Sequence, residues 1–485
     1  MIEIKFDEKK RLGILAGDLF NEIREHFSVK NEAARFARRF SRFIPQRTYA
    51  ITPTGRFEPC MFFEIKKFLA NNQYPQKLDI EQTFFCEVLP ATCTWHKDPN
   101  FALKPYTLSL PLRDYQSEIV IKALTLGRGT IVLATAGGKT LTAATILSNI
   151  FSFYGSKLKC LYLVPDRGLV EQTINDFNSY GVPFTTSKWT GDDELNLNSN
   201  IVVANLGILQ SKNSDVSWIE NIDILIIDEV HKLRRGNEIN KLIKKVRTPF
   251  RFGFTGTLPE DNLDQWNIIG KIGPVIYEKS SYQLRLESFV TPATVVAFLL
   301  HYKSKPAYPE QNFNATDKYR EETNFLIKSN FRNNIICKFT NKVQKNMLIL
   351  IDFIEHGLIL EELLRTSLTG KQVYFIRGDV EIEEREKIKK MMEDSNNIVV
   401  IAISKIFSTG INIKNLHYIV FAGGGKSKIK ILQSIGRGLR LHKDKDKLII
   451  VDIADNLLYG EQHFLKRKTL YEKENIPYQI KEIQE

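Results

Sequence analysis

The chain has 485 residues, of which 43% are hydrophobic and 26% charged, and its formal net charge is +12 at pH 7. This length is too great for one core and predicts two to four domains, and the composition is that of a soluble globular protein, with no window long and apolar enough to cross a bilayer. The positive charge favours a polyanionic partner, although a surplus of lysine is often only a solubility device.

The first residues and the cysteines indicate the compartment. The start, "MIEIKFDEKK", lacks the apolar core of a secretory signal. The five cysteines form no C-x-x-C pair, so we expect buried reduced thiols and neither a zinc site nor a disulfide framework. They are Cys60, Cys86, Cys93, Cys160 and Cys337. We therefore expect a cytoplasmic protein.

Residues 1–100 are predicted to form a small α+β unit. Its most informative stretch is "KNEAARFARRFSRFIPQR", from Lys30 to Arg47. If this stretch is helical, three phenylalanines fall on one face (Phe36, Phe40 and Phe43) and four arginines on another (Arg35, Arg38, Arg39 and Arg42). Such arginines suit the phosphates of a nucleic-acid backbone, but a core helix with a solvated arginine face fits the pattern equally well.

A phosphate-binding loop is predicted at "GTIVLATAGGKTLTAATILSNIFSF", residues 129–153, which reads as strand, glycine loop and helix. Leu133 stands where such loops usually have their first glycine, but Gly137 and Gly138 provide glycine where backbone N–H groups approach the phosphates. Lys139 would neutralise the β and γ phosphates of ATP, and the Thr140 hydroxyl would bind Mg²⁺. The alternative is a glycine turn that only connects a core strand to a helix and binds no nucleotide.

The predicted nucleotide-binding residues of this loop are consecutive. They are Thr135, Ala136, Gly137, Gly138, Lys139, Thr140 and Leu141.

Two acids follow the next strongly apolar run, "IDILIIDEVHKL", residues 222–233. This run predicts a central parallel strand, whose carboxyl end is where α/β sheets bind ligands. Asp228 would hold the magnesium, and Glu229 would orient and deprotonate the attacking water. Two acids after a strand also fit a solvated helix start, but the lysine of the preceding loop makes that improbable.

The two acids and His231 form the motif D-E-V-H. In this motif the sequence resembles the superfamily 2 helicases and translocases, whose second motif is D-E-x-[DH]. "LRDYQSEIV", residues 112–120, resembles the family's adenine-reading Q motif, which implies Gln116 as the hydrogen-bonding amide and Tyr115 as a stacking or packing ring. The resemblance implies an ATP-hydrolysing motor that acts on nucleic acid.

Two further motifs occur in the family's order. "LVPDRGLVEQ", residues 163–172, resembles motif Ia, which implies that Pro165 and Arg167 touch the nucleic-acid backbone. "FTGTL", residues 254–258, resembles motif III, which couples hydrolysis to strand contact. Each match is weak by itself, so the order and spacing carry the assignment.

A second α/β series begins after residue 290, with apolar runs at "NMLILIDF", "KQVYFIRG", "NIVVIAIS" and "LHYIVFAG". It has no second glycine-lysine loop. Instead "LQSIGRGLR", residues 432–440, matches the family's motif VI. Arg437 and Arg440 lie three apart on a predicted helix and can point together across a cleft towards a γ-phosphate. A basic surface helix is the alternative, and the missing second loop argues against it.

"SKIFSTGINIKNL", residues 404–416, resembles motif V. Gly410 would allow close backbone approach to the nucleotide, and Asn412 stands where many relatives have aspartate. The likeness also implies backbone contacts to nucleic acid from Ser404, Ser408 and Thr409.

The chain most resembles the UvsW-type branch-migrating helicases of phages and, more distantly, XPB-like helicases. The resemblance covers most of the chain and implies two tandem RecA-like parallel-sheet domains of the α/β class, preceded by a small α+β domain. The implied divisions are a DNA-engaging unit at 1–100, RecA-like domains at 101–290 and 291–458, and a tail at 459–485.

These observations together predict a DNA helicase or translocase that uses ATP and Mg²⁺ and remodels forks and junctions in replication, recombination and repair. An RNA helicase is the nearest alternative, because the core motifs contact the nucleic-acid backbone and do not by themselves distinguish RNA from DNA. A restriction-enzyme motor subunit is less favoured, since no nuclease-like acid cluster is evident. A nucleic-acid-stimulated ATPase clamp that separates no strands would carry the same catalytic residues.

Overall fold

The architecture is that of a computed structural model of the whole chain. The structure describes most of the residues. They are 1–31, 45–74, 78–88, 108–155, 157–191, 193–211, 215–248, 250–306, 315–368, 370–377, 380, 382–404, 413–423, 425, 431, 434–436 and 438–485.

The chain divides into two compact units. The first unit comprises Met1–Leu133 and Gly138–Glu278, and the second comprises Ala134–Gly137 and Lys279–Glu485. Each unit contains its own seven-stranded sheet in the described residues.

The first unit begins with a small α+β subdomain. A four-stranded sheet has the spatial order β5-β2-β1-β6, and a two-stranded sheet joins β3 to β4. The strands are β1 (Ile2–Asp7), β2 (Leu12–Gly17), β3 (Ser28–Lys30), β4 (Arg47–Tyr49), β5 (Arg56–Phe57) and β6 (Leu78–Ile80). The helices are α1 (Phe20–His26), α2 (Phe62–Asn71) and α3 (Gln82–Val88).

The larger part of the first unit is a sheet in the order β13-β7-β12-β11-β8-β10-β9. Its neighbours from β7 to β9 pair in parallel, and β7, β8, β10, β11 and β12 are buried along their whole length, as expected for strands covered on both faces. The strands are β7 (Arg128–Leu133), β8 (Cys160–Val164), β9 (Thr186–Trp189), β10 (Ile201–Asn205), β11 (Ile224–Ile227), β12 (Phe250–Thr255) and β13 (Val275–Lys279).

Five helices accompany this sheet. They are α4 (Asp114–Leu126), α5 (Lys139–Tyr154), α6 (Arg167–Tyr180), α7 (Glu238–Lys245) and α8 (Asn262–Ile272). A short 3₁₀ turn, Val230–Lys232, follows β11, and another, Pro59–Met61, precedes α2.

The second unit is built on a parallel sheet in the order β16-β17-β15-β18-β19-β14-β20. The strands are β14 (Ala293–His301), β15 (Met347–Ile351), β16 (Gln372–Ile376), β17 (Ile398–Ile403), β18 (Tyr418–Phe421), β19 (Leu448–Asp455) and β20 (Tyr478–Gln484). The helices are α9 (Ser281–Leu286), α10 (Ala315–Lys328), α11 (Asn330–Lys342), α12 (Ile354–Ser367), α13 (Ile382–Asp394) and α14 (Leu458–Lys473).

The sheets confirm the predicted fold class of two tandem RecA-like domains with a small α+β domain before them. Each of the four apolar runs predicted as strands after residue 290 contains one of the strands β15 to β18. Three of the cysteines, Cys60, Cys160 and Cys337, are buried free thiols as expected. Within the described ranges, every helix is too short or too polar to cross a lipid bilayer.

One segment differs from the sequence-based expectation. The residues after Leu458, expected to form a tail, form α14 and β20, and β20 pairs with β14 at the edge of the second sheet.

Candidate functional site

The predicted phosphate loop lies between the end of β7 and the start of α5. Gly137 N donates to Ala134 O at 3.0 Å, and Gly138, at the N-cap of α5, has a φ of +82°. Ala136 also lies in the left-handed region, with a φ of +68°, which is costly for a residue with a Cβ. The loop ends where Lys139 and Thr140 begin the helix, whose first N–H groups have no partner within the helix and suit an anion.

Gln116, predicted to read adenine, lies against this loop. The residue is only 2% exposed, its Oε1 accepts a hydrogen bond from Arg113 N at 2.9 Å, and its Nε2 donates to Gly138 O at 3.4 Å. A Cβ on Gly138 would collide with Nε2. Tyr115 is also buried, and its hydroxyl accepts from Arg113 Nη1 at 2.9 Å, so the ring packs in the core. The structure thus ties the first turn of α4 to the phosphate loop.

The two predicted acids follow β11, and one of them meets the lysine of the loop. Lys139 Nζ lies 3.2 Å from Glu229 Oε1, and His231 Nδ1 lies 3.2 Å from Glu229 Oε2. Asp228 Oδ1 accepts a hydrogen bond from Glu229 N at 2.9 Å. Glu229 has a φ of +50°, so the backbone turns sharply where the two carboxylates separate. The structure therefore brings the predicted lysine and both acids together.

The two carboxylates have opposite electrostatic environments. Burial, followed by the neighbouring Glu229 charge, raises the pKa of Asp228 above its usual value. Burial acts on Glu229 in the same direction, but Lys139 and His231 outweigh it and hold the pKa of Glu229 well below its usual range. Glu229 therefore keeps its charge, whereas Asp228 is the carboxylate that a bound cation would stabilise most.

A magnesium ion fits this set of oxygen donors. The Thr140 hydroxyl and the Asp228 carboxylate are the hard oxygen ligands that Mg²⁺ takes in proteins, usually together with water and phosphate oxygens. Because burial disfavours the Asp228 charge, a divalent cation beside it removes a cost that the fold otherwise bears.

His231 connects the acids to motif III. Its Nδ1 lies 3.0 Å from Thr255 Oγ1, at the end of β12, and Thr255 Oγ1 in turn donates to Thr257 O at 2.8 Å. His231 is 5% exposed, so this contact is buried. The motifs identified these residues one by one, but their contact across two strands has no signal in the sequence.

The predicted backbone-contacting residues of motif Ia lie where β8 ends. The Asp166 carboxylate accepts from Leu169 N at 3.3 Å and caps α6, while Arg167, the next residue, is exposed. The Arg167 guanidinium covers Gly191, since a Cβ there would collide with Nη2, and Pro165 is half-buried beside them. Gly191 follows β9 and was not identified from the sequence, which offers no pattern that pairs it with Arg167.

In the second unit, Arg440 is the last residue of motif VI. Thr291 Oγ1 donates to Arg440 O at 3.0 Å, and Lys445 Nζ donates to Gly438 O at 3.0 Å and to Lys414 O at 2.8 Å. These hydrogen bonds hold the backbone on both sides of Leu439, next to the half-buried Arg440. Ser404 Oγ donates to Ile351 O at 2.9 Å, at the ends of β17 and β15.

The remaining predicted site residues lie outside the described residues. They are Arg35, Arg38, Arg39, Arg42, Ser408, Thr409, Gly410, Asn412 and Arg437.

Two family models match the chain. The model described as type III restriction enzyme, res subunit, matches residues 109–260, and the helicase conserved C-terminal domain matches residues 324–442. The first match holds the phosphate loop and the acids, and the second holds motifs V and VI. The two groups of motor motifs thus lie within the matches of two separate family models.

Curated relatives align over most of the chain. The ATP-dependent DNA helicase UvsW of enterobacteria phage T4 is 26% identical over 456 residues, which is 90% of this chain and 87% of the relative. The DNA 3'-5' translocase XPB2 of Sulfurisphaera tokodaii is 26% identical over 70% of this chain and 81% of the relative.

A solved structure supports the fold. The ATP-dependent type ISP restriction-modification enzyme LlaBIII, bound to DNA, superposes with a TM-score of 0.56 at 16% identity over 78% of this chain and 31% of that chain. The resemblance predicted from the motifs is confirmed by the family models and relatives, and the chain is a nucleic-acid-binding, ATP-dependent helicase or translocase of superfamily 2.

Proposed function

We propose that this chain is a DNA translocase that couples ATP hydrolysis to unwinding or branch migration of forked and junction DNA. The observation that carries the proposal is the meeting of Lys139 and Glu229 at 3.2 Å beside Asp228, in a chain whose two sheets carry the two halves of a helicase motif set. The names of the T4 and archaeal relatives, a DNA helicase and a DNA translocase, support DNA as the substrate.

The charges of the three side chains suggest the chemistry. ATP binding brings phosphate oxygens that compete with the Glu229 carboxylate for the Lys139 ammonium, and this competition weakens the ion pair. Glu229, freed from the lysine and still held by His231, then accepts the proton of the water that attacks the γ-phosphate. The order of these contacts makes the base available only after the triphosphate has arrived.

Thr140 and Asp228 would hold Mg²⁺ at this site. When bound, the ion supplies charge neutralisation at the β and γ phosphates. The protein's own contribution is to keep a buried carboxylate next to the loop, where burial raises its pKa and makes a cation its preferred partner.

Arg437 and Arg440 are assigned to the γ-phosphate in this proposal. Guanidinium groups stay charged and bind phosphate oxygens bidentately, which suits the charge that develops in phosphoryl transfer. The hydrogen bonds from Thr291 to Arg440 O and from Lys445 to Gly438 O support the assignment, because they fix the backbone from which Arg440 projects.

Nucleic-acid contact is assigned to two sets of residues. Pro165 and Arg167, with Ser404, Ser408 and Thr409, would follow one strand. The arginines of the N-terminal unit (Arg35, Arg38, Arg39 and Arg42) would contact duplex phosphates. Phosphate contacts give affinity without sequence choice, so replacing Arg38, Arg39 and Arg42 together should reduce the slope of log affinity against log salt. An unchanged slope would mean that these side chains are only solvated.

The test combines a Lys139→Ala variant with strand-displacement assays on forked DNA, four-way DNA junctions and RNA duplexes. We expect the wild-type chain to displace DNA strands with ATP, and the variant to bind the same DNA while its DNA-stimulated hydrolysis falls by about 10³-fold or more. Lys122→Ala, which removes an exposed lysine paired with Glu118 on α4, is the control and should behave as the wild type.

The outcomes separate the competing functions. Hydrolysis that DNA stimulates without any strand movement would reduce the chain to a clamp and contradict the proposal. Preferential displacement of RNA duplexes would contradict the choice of DNA. A Lys139→Ala variant that still unwinds would refute the assignment of the loop itself.

A further inference from the structure

The N-terminal subdomain is attached to α8 of the first unit through a carboxylate. Glu58 Oε1 lies 3.0 Å from Lys271 Nζ and 2.7 Å from Lys244 Nζ. The backbone of α8 comes close to the same side chain, because a Cβ on Gly270 would collide with Glu58 Cβ. Phe27 of the subdomain also packs edge-to-face on Trp266 of α8, with ring centroids 5.2 Å apart. The subdomain therefore cannot shift on this surface without disturbing α8.

The Glu58–Lys271 pair is buried enough for the lysine to depend on the carboxylate. The Lys271 side chain is 4% exposed and that of Glu58 is 17% exposed. Burial lowers the pKa of Lys271, and the Glu58 carboxylate opposes that effect. Removing the carboxylate would leave the buried Lys271 charge uncompensated, so the position of the lysine depends on the carboxylate of the subdomain.

A continuous series of hydrogen bonds runs from Lys271 towards the acids. Lys271 Nζ donates to Asn267 Oδ1, one turn earlier on the same face of α8. Asn267 Nδ2 donates to Leu233 O at 2.7 Å and to Asn240 Oδ1 at 3.0 Å, so both protons and the oxygen of this carboxamide have partners. Leu233 directly follows the 3₁₀ turn Val230–Lys232, and this turn carries His231. The catalytic turn is thus tied to α8 by a side chain whose orientation Lys271 fixes.

The catalytic turn, Glu229–Lys232, has a strained backbone at its first residue. It starts at Glu229, whose φ of +50° is unfavourable for a residue with a Cβ and persists only when neighbours hold it. His231 holds the Glu229 carboxylate at 3.2 Å, and Asn267 holds the turn from its other end. A small displacement of α8 would therefore change the position of Glu229 more readily than that of a relaxed loop.

We propose that Glu58, Lys271 and Asn267 are positioning residues that transmit the engagement of nucleic acid by the N-terminal subdomain to Glu229. The proposal rests on the proposed function, since it concerns how DNA stimulates hydrolysis. Nucleic acid that binds the subdomain displaces Glu58, and Lys271 and Asn267 move with it. The turn before Leu233 then places Glu229 where it can accept the proton of the attacking water. None of the three side chains belongs to the residues predicted to bind the nucleotide.

The test compares basal and DNA-stimulated ATP hydrolysis in Glu58→Gln and Lys271→Met, each in the full chain. Networks of this kind modulate coupling by about 0.5–2 kcal/mol, so we expect the stimulation by forked DNA to fall by about fivefold or more. Basal turnover and the Kd for the DNA should stay within about twofold, because the nucleotide site and the DNA contacts are untouched. The double variant should be no worse than either single variant, because both changes break the same series.

Lys244→Met is the matched control. Lys244 contacts the same Glu58 oxygen at 2.7 Å, but it lies on α7, and the series through Asn267 passes from Lys271 to Leu233 without it. This variant should keep its DNA stimulation within about twofold of the wild type. If Glu58→Gln does not fold, as judged by loss of a cooperative thermal transition, Lys271→Met still tests the series because it removes the buried charge itself.

The outcomes distinguish this inference from the proposed function. If the wild type is stimulated by DNA and both variants keep that stimulation, the series is not a coupling path and only this inference fails. If Lys244→Met loses as much as Glu58→Gln, or if weaker DNA binding accounts for the whole loss, the interface is merely structural and the inference also fails. A wild type that DNA does not stimulate would overturn the proposed function together with the inference.

Discussion

Lys139 Nζ lies 3.2 Å from Glu229 Oε1, in an ion pair whose side chains are only 13% and 15% exposed. The two groups are those that the motifs assign to different tasks, one to the phosphates and one to the water. Because of this contact, the phosphates of ATP must compete with the Glu229 carboxylate for the Lys139 ammonium.

We expect Glu229→Gln to bind ATP at least as tightly as the wild type while its hydrolysis falls by about 10²- to 10⁴-fold. The amide removes the charge that competes with phosphate for Lys139, and it cannot accept the proton of the attacking water. Titration calorimetry with ATP and a phosphate-release assay measure the two effects separately.

Glu118→Gln is the control for this substitution. Glu118 forms an exposed ion pair with Lys122 on α4, at 2.7 Å, and exposed pairs contribute little. Binding and turnover should both stay at the wild-type level. A loss of ATP affinity in Glu229→Gln would contradict the competition between carboxylate and phosphate.

Gly138→Ala should destabilise the first unit through two separable effects. Its φ of +82° costs about 1 kcal/mol for alanine, and the new Cβ would collide with Gln116 Nε2. The additional Gln116→Ala substitution removes the colliding amide, so the double variant should be less destabilised than the sum of the single variants by about 1–2 kcal/mol. Urea unfolding of the four proteins gives this coupling energy.

Gly236→Ala isolates the backbone effect, because Gly236 has the same φ of +82° and no atom lies within 4 Å of its added Cβ. It should cost only the left-handed conformation, and Gln116→Ala should not alter that cost. If Gly138→Ala is no more destabilising than Gly236→Ala, the packing of Gln116 on the loop is wrong.

The pH dependence of the second unit should carry a contribution from Lys445. Burial, followed by the Arg440 charge, lowers the pKa of Lys445 from 10.5 to about 8. The unfolded chain therefore holds this proton more tightly, and the free energy of unfolding rises as the pH increases from about 8 to 10.5. The free energy of unfolding of the wild type, minus that of Lys445→Met, should increase by on the order of 2–3 kcal/mol over that window. Denaturant unfolding at fixed pH values measures it.

Lys447→Met is the control for Lys445, because Lys447 is exposed two residues away. The comparison of the two variants isolates the effect of the buried lysine from that of removing a nearby positive charge. A flat difference for Lys445→Met would mean that the ammonium of Lys445 is hydrated and carries no penalty of burial.

Much of the motor was predictable because its signals are local. The β11 run Ile224–Ile227 is fully buried and ends directly before Asp228, so one apolar stretch predicted both the strand and the acid at its carboxyl end. The loop before α5 was predictable for the same reason.

Contacts between distant residues had no such signal. The Lys139–Glu229 pair spans ninety residues of sequence, and the series through Asn267 depends on how α8 packs. The last strand, β20, was not predicted because its side chains are largely exposed at the sheet edge, so it has no apolar run. In α14 the buried face includes Arg467, whose charge interrupts the helical pattern and is matched by Asp452 only in the folded chain.

Arg332→Met should destabilise the second unit by about 3–5 kcal/mol, since it leaves the Asp455 carboxylate buried without its cation. Arg332 is 2% exposed, and its Nε donates to Asp455 Oδ1 at 3.0 Å while its Nη2 donates to Ala422 O at 2.8 Å. Arg365→Ala, which breaks an exposed pair with Glu361 on α12, should cost less than about 1 kcal/mol. Denaturant unfolding of both variants compares the pairs directly. Equal losses would mean that water reaches Asp455 and that burial does not set the strength of its bond to Arg332.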